Sequence, residues 1–181
     1  MNVVTRALID SVSWATLRTD SGSGADLPRA FADLAVATTP EGARAAYWRI
    51  DNEVVVQGEL HEAALPALAV LLSMAATTPP DPVRRAVAEL IQQIACGQAR
   101  ASEVELGNVD LAARCRALTG QATWLCYGWL ADGDSQVREC ALLTLHQVET
   151  DEARRAAVFG AVRDTDPDPG VQKILRQLAV G

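Results

Sequence analysis

Residues 46–60 read AYWRIDNEVVVQGEL, and the fold class turns on whether this stretch is helix or strand. Three consecutive valines, Val54 to Val56, favour a strand, and Asp51 and Asn52 are poor residues for a helix interior. The spacing argues the other way. At 100° per residue, Ala43, Ala46, Tyr47, Ile50, Val54 and Gln57 fall on one face and form an apolar stripe. Trp48, Asn52, Val55 and Val56 fall opposite, and Asp51 lies on the flank. The stripe predicts a helix over 40–57, with valine penalties of a few tenths of a kcal/mol each overridden by burial. Only residues 53–57 retain a strand reading. A helix apolar on two sides must touch two neighbours, or one neighbour and a ligand. Trp48 therefore has two possible places: packed on the N-terminal helix near Trp14, or facing a partner.

The rest of the composition agrees with helix. Of 181 residues, 49% are apolar and only 4% aromatic, and alanine and leucine, the best apolar helix formers, dominate. Lys173 is the only lysine beside many arginines, a usage that fits a GC-rich bacterial genome. The net charge of −7 opposes binding to DNA or anionic membranes and favours a basic partner. The Arg84-Arg85 and Arg154-Arg155 pairs each lie within a turn of acidic residues, which argues against a phosphate-tracking stripe.

Breakers divide the chain. A helix is expected over 3–18, a flexible TDSGSG connection over 19–24, and a short helix over 25–37. Thr39 can cap the next helix with Pro40 at its first position. Helices over 60–76, 81–97, 109–131 (broken near Gly120), 134–148, 151–164 and 168–179 follow. Three of them start alike, at Asp81, Asp134 and Asp168: an Asp cap, a core Val about one turn in, then apolar residues at three- and four-residue spacing. Such self-similarity indicates stacked helix pairs. Four pairs result, 25–37 with 40–57, 60–76 with 81–97, 109–131 with 134–148 and 151–164 with 168–179, with the first helix capping the start. The whole of 1–181 reads as one domain, and 98–108 as an insertion between pairs.

DPVRRAVAELI and DSQVRECALLTL resemble the turn and second-helix start of HEAT-like repeats over roughly residues 60–179. The resemblance implies an all-α, right-handed α-α superhelix and an acidic–arginine ladder between repeats. Asp81 with Arg84 and Asp134 with Arg138 match it. The first copy is one residue short, and Gln172 replaces the arginine in the last. Tyr47, Gln57-Gly58, Ala63, Pro66 and Leu71-Leu72 further resemble a segment of bacterial HEAT-like proteins of unassigned activity. That likeness implies a cytosolic adaptor or toxin-immunity partner. Second helices line the concave face in that family, which would place Trp48, Asp51, Asn52 and Val55 in a partner-binding patch.

Catalytic chemistry finds no foothold in the sequence. His61-Glu62 begins an H-E-x-x-H motif, but Leu65 stands where the second histidine is required. His61 reads as a polar helix-start residue, and His146 as a cation near a helix C-terminus. Cys96, Cys115, Cys126 and Cys140 form no metal-ligand spacing and read as core residues. DTDPDPG at 164–170 has two prolines and no glutamate at the closing position of a calcium loop, so it reads as turn and cap. Trp129 aligns with core positions; Trp124 and Tyr127 could pack between repeats or anchor a partner. The N-terminus lacks a signal peptide's long apolar run, and no segment reads as a membrane span. The expectation is a cytoplasmic, non-enzymatic protein-binding module without metal or cofactor, a monomer or weak dimer, with a basic protein as partner. An immunity protein blocking a basic toxin is a specialised version. The competing expectation is a helical-repeat enzyme acting on a nucleic-acid base or a small molecule.

Overall fold

The computed structural model describes residues 1–77 and 79–179. Eleven α-helices occur among them: α1 (Val3–Asp10), α2 (Leu27–Val36), α3 (Pro40–Val54), α4 (Ala64–Ala75), α5 (Asp81–Cys96), α6 (Ala101–Glu105), α7 (Leu111–Gly120), α8 (Thr123–Trp129), α9 (Ser135–Val148), α10 (Glu152–Thr165) and α11 (Pro169–Leu178). The protein is predominantly helical. The helix starts are set by local chemistry. Thr39 accepts a hydrogen bond from Gly42 N–H ahead of Pro40, Asp134 accepts from Gln136 N–H, and Asp168 accepts from Gly170 and Val171 N–H. Each satisfies donors that a helix leaves unpaired at its first turn. Asp81 departs from the expected cap: it is the first residue of α5, and Pro80 precedes it without a side-chain cap.

Helices α3, α5, α9 and α11 pack side by side in that order, while α4 packs on α1, α5 and α7. The core runs continuously from Ile9 to Leu175 and centres on Tyr47, Ile50, Leu68, Leu90 and Ile91. The alanine-rich sequence permits this close approach of helices, since Ala63, Ala64, Ala67 and Ala88 are fully buried.

Three expectations about elements are corrected. The first helix ends at Asp10, and Trp14–Thr16 forms a 3-10 turn. The helix expected over 40–57 ends at Val54, and Val55–Val56 is a strand, β1. It forms a hairpin with β2 (Glu59–Leu60). The two residues between take positive φ, Gln57 at 53° and Gly58 at 81°, as a two-residue type I′ turn requires. Third, the helix expected over 60–76 begins at Ala64, because Leu60 belongs to β2; residues 98–108, expected as an insertion between pairs, carry β3 (Gln98–Ala99), which pairs in parallel with β2, and α6. Gly97 enters this sheet where a Cβ would lie 2.6 Å from Leu60 Cδ2, so the approach of α5 to β2 needs glycine.

Candidate functional site

Helix α3 places two adjacent aromatics in opposite environments. Tyr47 is fully buried, and its hydroxyl donates to Asp51 Oδ1 at 3.1 Å and accepts from Gln93 Nε2 on α5. Trp48 is 44% exposed and packs edge-on against Tyr47, with ring centroids 5.0 Å apart. Arg44, one turn earlier, lies over both rings, 4.2 Å from the centroid of Tyr47 and 4.3 Å from that of Trp48. Its guanidinium also pairs with Glu89 on α5 at 2.9 Å. Trp48 therefore packs against a cation and a ring while its outer face meets solvent. It does not pack near Trp14, which stacks on Phe31 instead.

Two depressions flank this feature. A groove of about 420 Å³ runs between α3 and α5 and ends at α9, lined by Arg44, Arg85, Glu89 and Gln136 among others. Trp48 and Asn52 line a second depression of about 490 Å³, with Asp26, Arg29, Arg49 and Glu53. Both mix charges of either sign.

The expected patch of four residues is thus halved. Trp48 and Asn52 reach the surface. Asp51 is only 6% exposed, and Val55 is fully buried in β1, so neither presents a side chain to a partner. The flank position of Asp51 became interior because Tyr47 and Gln93 close over it. Burial raises its carboxyl above the usual range, against the lowering effect of the Tyr47 hydrogen bond. Burial likewise raises Tyr47, with Glu89 and Asp51 adding to it. The residues missed from sequence are Arg44, Glu89 and Gln93. Arg44 had a readable signal, lying three residues before Tyr47 and four before Trp48; its partner on α5 had none.

Of the two expected ladder pairs, Asp81 with Arg84 forms, whereas Asp134 and Arg138 each take another partner. Arg84 pairs with Asp81 at 2.5 Å and also with Asp132 at 2.7 Å. That second contact is an ion pair without hydrogen-bond alignment at Nε. Asp134 pairs with Arg85 at 2.5 Å, and Arg138 reaches Asp166 at 2.6 Å rather than Asp134. Arg138 also donates to the Asp132 carbonyl, as Arg84 does to that of Pro79 and Gln172 to that of Asp166. The three side chains occupy like places at successive helix starts. Gln172 keeps the bond to its own turn and lacks the charge that reaches onward. Arg138 holds the Asp166 carboxyl below the usual range.

His61 belongs to a structural clip. It is buried, and its Nε2 lies 3.1 Å from an Arg100 guanidinium nitrogen and 3.6 Å from Asp20 Oδ1. Burial, then the Arg100 charge, lowers its pKa, with Asp20, Glu103 and Glu59 opposing. Arg18 grips the buried Glu103 with two nitrogens, at 2.7 and 3.1 Å, tying the N-terminal loop to α6. Burial pushes the thiols of Cys115, Cys126 and Cys140 up to about 12, which leaves them without thiolate character at neutral pH. No group of three or more His, Cys, Asp or Glu side chains suited to a metal ion occurs among the described residues. No helix among them is long and apolar enough to cross a membrane. Trp129 is buried, Trp124 is exposed, and Tyr127 donates its hydroxyl to Glu149.

No protein-family model, curated protein or solved structure matches this chain.

Proposed function

We propose that this protein is a non-catalytic, HEAT-like helical-repeat module that binds another protein through the α3 surface around Trp48 and Asn52 and the adjoining α3–α5 groove. The observation that carries the reading is Trp48. A large aromatic side chain left 44% exposed, oriented by Arg44 and Tyr47 and bordered by polar groups, has the make-up of an interface hot spot. Its contacts with Arg44 and Tyr47 favour one orientation, which lowers the entropy lost on binding. The superhelical reading draws on the equivalent contacts of Arg84, Arg138 and Gln172 with their turns and on the side-by-side order of α3, α5, α9 and α11. A net charge of −7 favours a basic partner, and blocking a basic toxin in a bacterial cytoplasm is the specialised form of the role.

Affinity capture from the source cell with wild-type and Trp48→Ala protein tests the reading. The expected result is a defined, basic partner retained by wild type and lost by Trp48→Ala, with both proteins equally folded by circular dichroism. Retention of the same partner by both overturns the Trp48 surface as the site.

A further inference from the structure

A second cleft, of about 730 Å³, separates α10 from α9 and α11. Phe159, Leu175 and Leu178 supply its apolar part, and His146, Arg155 and Arg163 bring positive or ionisable groups to it. Arg155, Phe159 and Arg163 follow one another at four-residue steps, so they share one face of α10. The two arginines stand about 12 Å apart along the axis, with Phe159 between them. Phe159 is the one buried residue of α10. A helix normally turns apolar residues towards its own protein, whereas here two of the residues lining the cleft are arginines.

Unlike most arginines of the chain, these two meet no carboxylate among the described residues, a condition they share with Arg6, Arg116 and Arg176. Arg44, Arg49, Arg84, Arg85, Arg138 and Arg154 all meet a carboxylate. Neither Arg155 nor Arg163 has a carboxylate within ion-pair distance among the described residues, although the chain is acidic. Of the adjacent pair, Arg154 is neutralised by Glu149 and Asp151. Arg155 spends one nitrogen on the Glu149 carbonyl at 2.9 Å and keeps its remaining donors. Glu152 is the one carboxylate of the cleft lining among the described residues.

We propose that this cleft binds an acidic segment of a protein partner, seating an apolar side chain against Phe159 and Leu178 while flanking carboxylates meet Arg155 and Arg163. The span between the arginines corresponds to about four extended residues at roughly 3.3 Å each. Guanidinium forks suit carboxylates geometrically. Two arginines beside Glu152 are too few for a polyphosphate, whose binding needs many uncompensated cations. This surface differs from the α3 site in place and in charge, so it would engage a different segment.

The test is fluorescence anisotropy with a labelled peptide carrying one leucine between paired glutamates, and with a twin in which glutamine replaces each glutamate. The glutamate peptide is expected to bind about tenfold or more tightly than its twin, by an amount that shrinks as salt rises. Arg163→Ala, at a side chain that makes no hydrogen bond among the described residues, should weaken binding about threefold or more with an unchanged thermal midpoint. Arg155→Gln should weaken it further. Equal affinity of the two peptides, absence of binding to both, or undiminished binding by the double variant overturns the proposal. Tighter binding of laurate or of an oligothymidylate, lost in the same variants, also overturns it by assigning the cleft to another ligand class.

Discussion

Truncating the neighbours Tyr47 and Trp48 should give sharply different results. Tyr47 is fully buried, and large-to-small aromatic changes at such sites cost about 3–5 kcal/mol. Tyr47→Ala also strips Asp51 and Gln93 of the hydroxyl they share, and an unsatisfied buried polar group adds about 1–3 kcal/mol. Trp48 is 44% exposed, so Trp48→Ala uncovers only about 100 Å² of previously buried surface, or roughly 2 kcal/mol. In a chain of 181 residues, each kcal/mol lowers the melting temperature by about 2–4 °C. The melting temperature of Tyr47→Ala should therefore fall by about 8–32 °C and that of Trp48→Ala by about 4–8 °C. Tyr47→Phe isolates the hydroxyl and should cost about 1–3 kcal/mol. The assay is a thermal melt of the three variants at equal concentration. A Trp48→Ala midpoint as low as that of Tyr47→Ala would refute the reasoning, because Trp48 would then serve the core and not a partner.

Four further outcomes follow from particular contacts. The buried Asp51 carboxyl is raised in the folded state, so its favourable contribution is complete below the unfolded carboxylate range and is lost as pH rises through the folded pKa. Asp51→Asn, which keeps an acceptor for Tyr47, should therefore gain stability relative to wild type as pH rises above the unfolded carboxylate range of about pH 4, measured as urea midpoints; a gap independent of pH contradicts this. Gly97→Ala should destabilise by about 1–3 kcal/mol, because its Cβ would meet Leu60 Cδ2 at 2.6 Å, and a denaturant midpoint equal to wild type contradicts it. Arg138→Ala should cost about 1–3 kcal/mol by removing the cation from the half-buried Asp166 carboxylate, which keeps only the Asp168 N–H. Since Asp166 is lowered in the folded state, that cost should shrink as acid protonates it. The exposed Arg49–Asp33 pair, removed by Arg49→Ala, should cost no more than about 1 kcal/mol in the same chemical melts.

The sequence by itself determined what depends on residues a few positions apart. The apolar stripe of Ala43, Ala46, Tyr47, Ile50 and Val54 specified α3 and its buried face. Thr39, Asp134 and Asp168 specified helix starts, because a capping bond closes within three residues. The break at Gly120 was also readable. Only the tertiary structure decided what covers the flanks of those helices. The angular position of Asp51 is the same in solvent or in a core, and Gln93 on α5 made it interior. Val55 and Val56 left the helix because Glu59 and Leu60 offered a strand across a type I′ turn, and Gln98 and Ala99 extended the sheet. Arg138 could be expected to seek a carboxylate, but choosing Asp166 over Asp134 required the turn before α11 to be set beside α9. Propensity, periodicity and capping act along the chain and so can be read from it. The partner of a charge or of a strand edge is fixed by which distant segments packing brings within about 3 Å, and that information resides in the assembled helices.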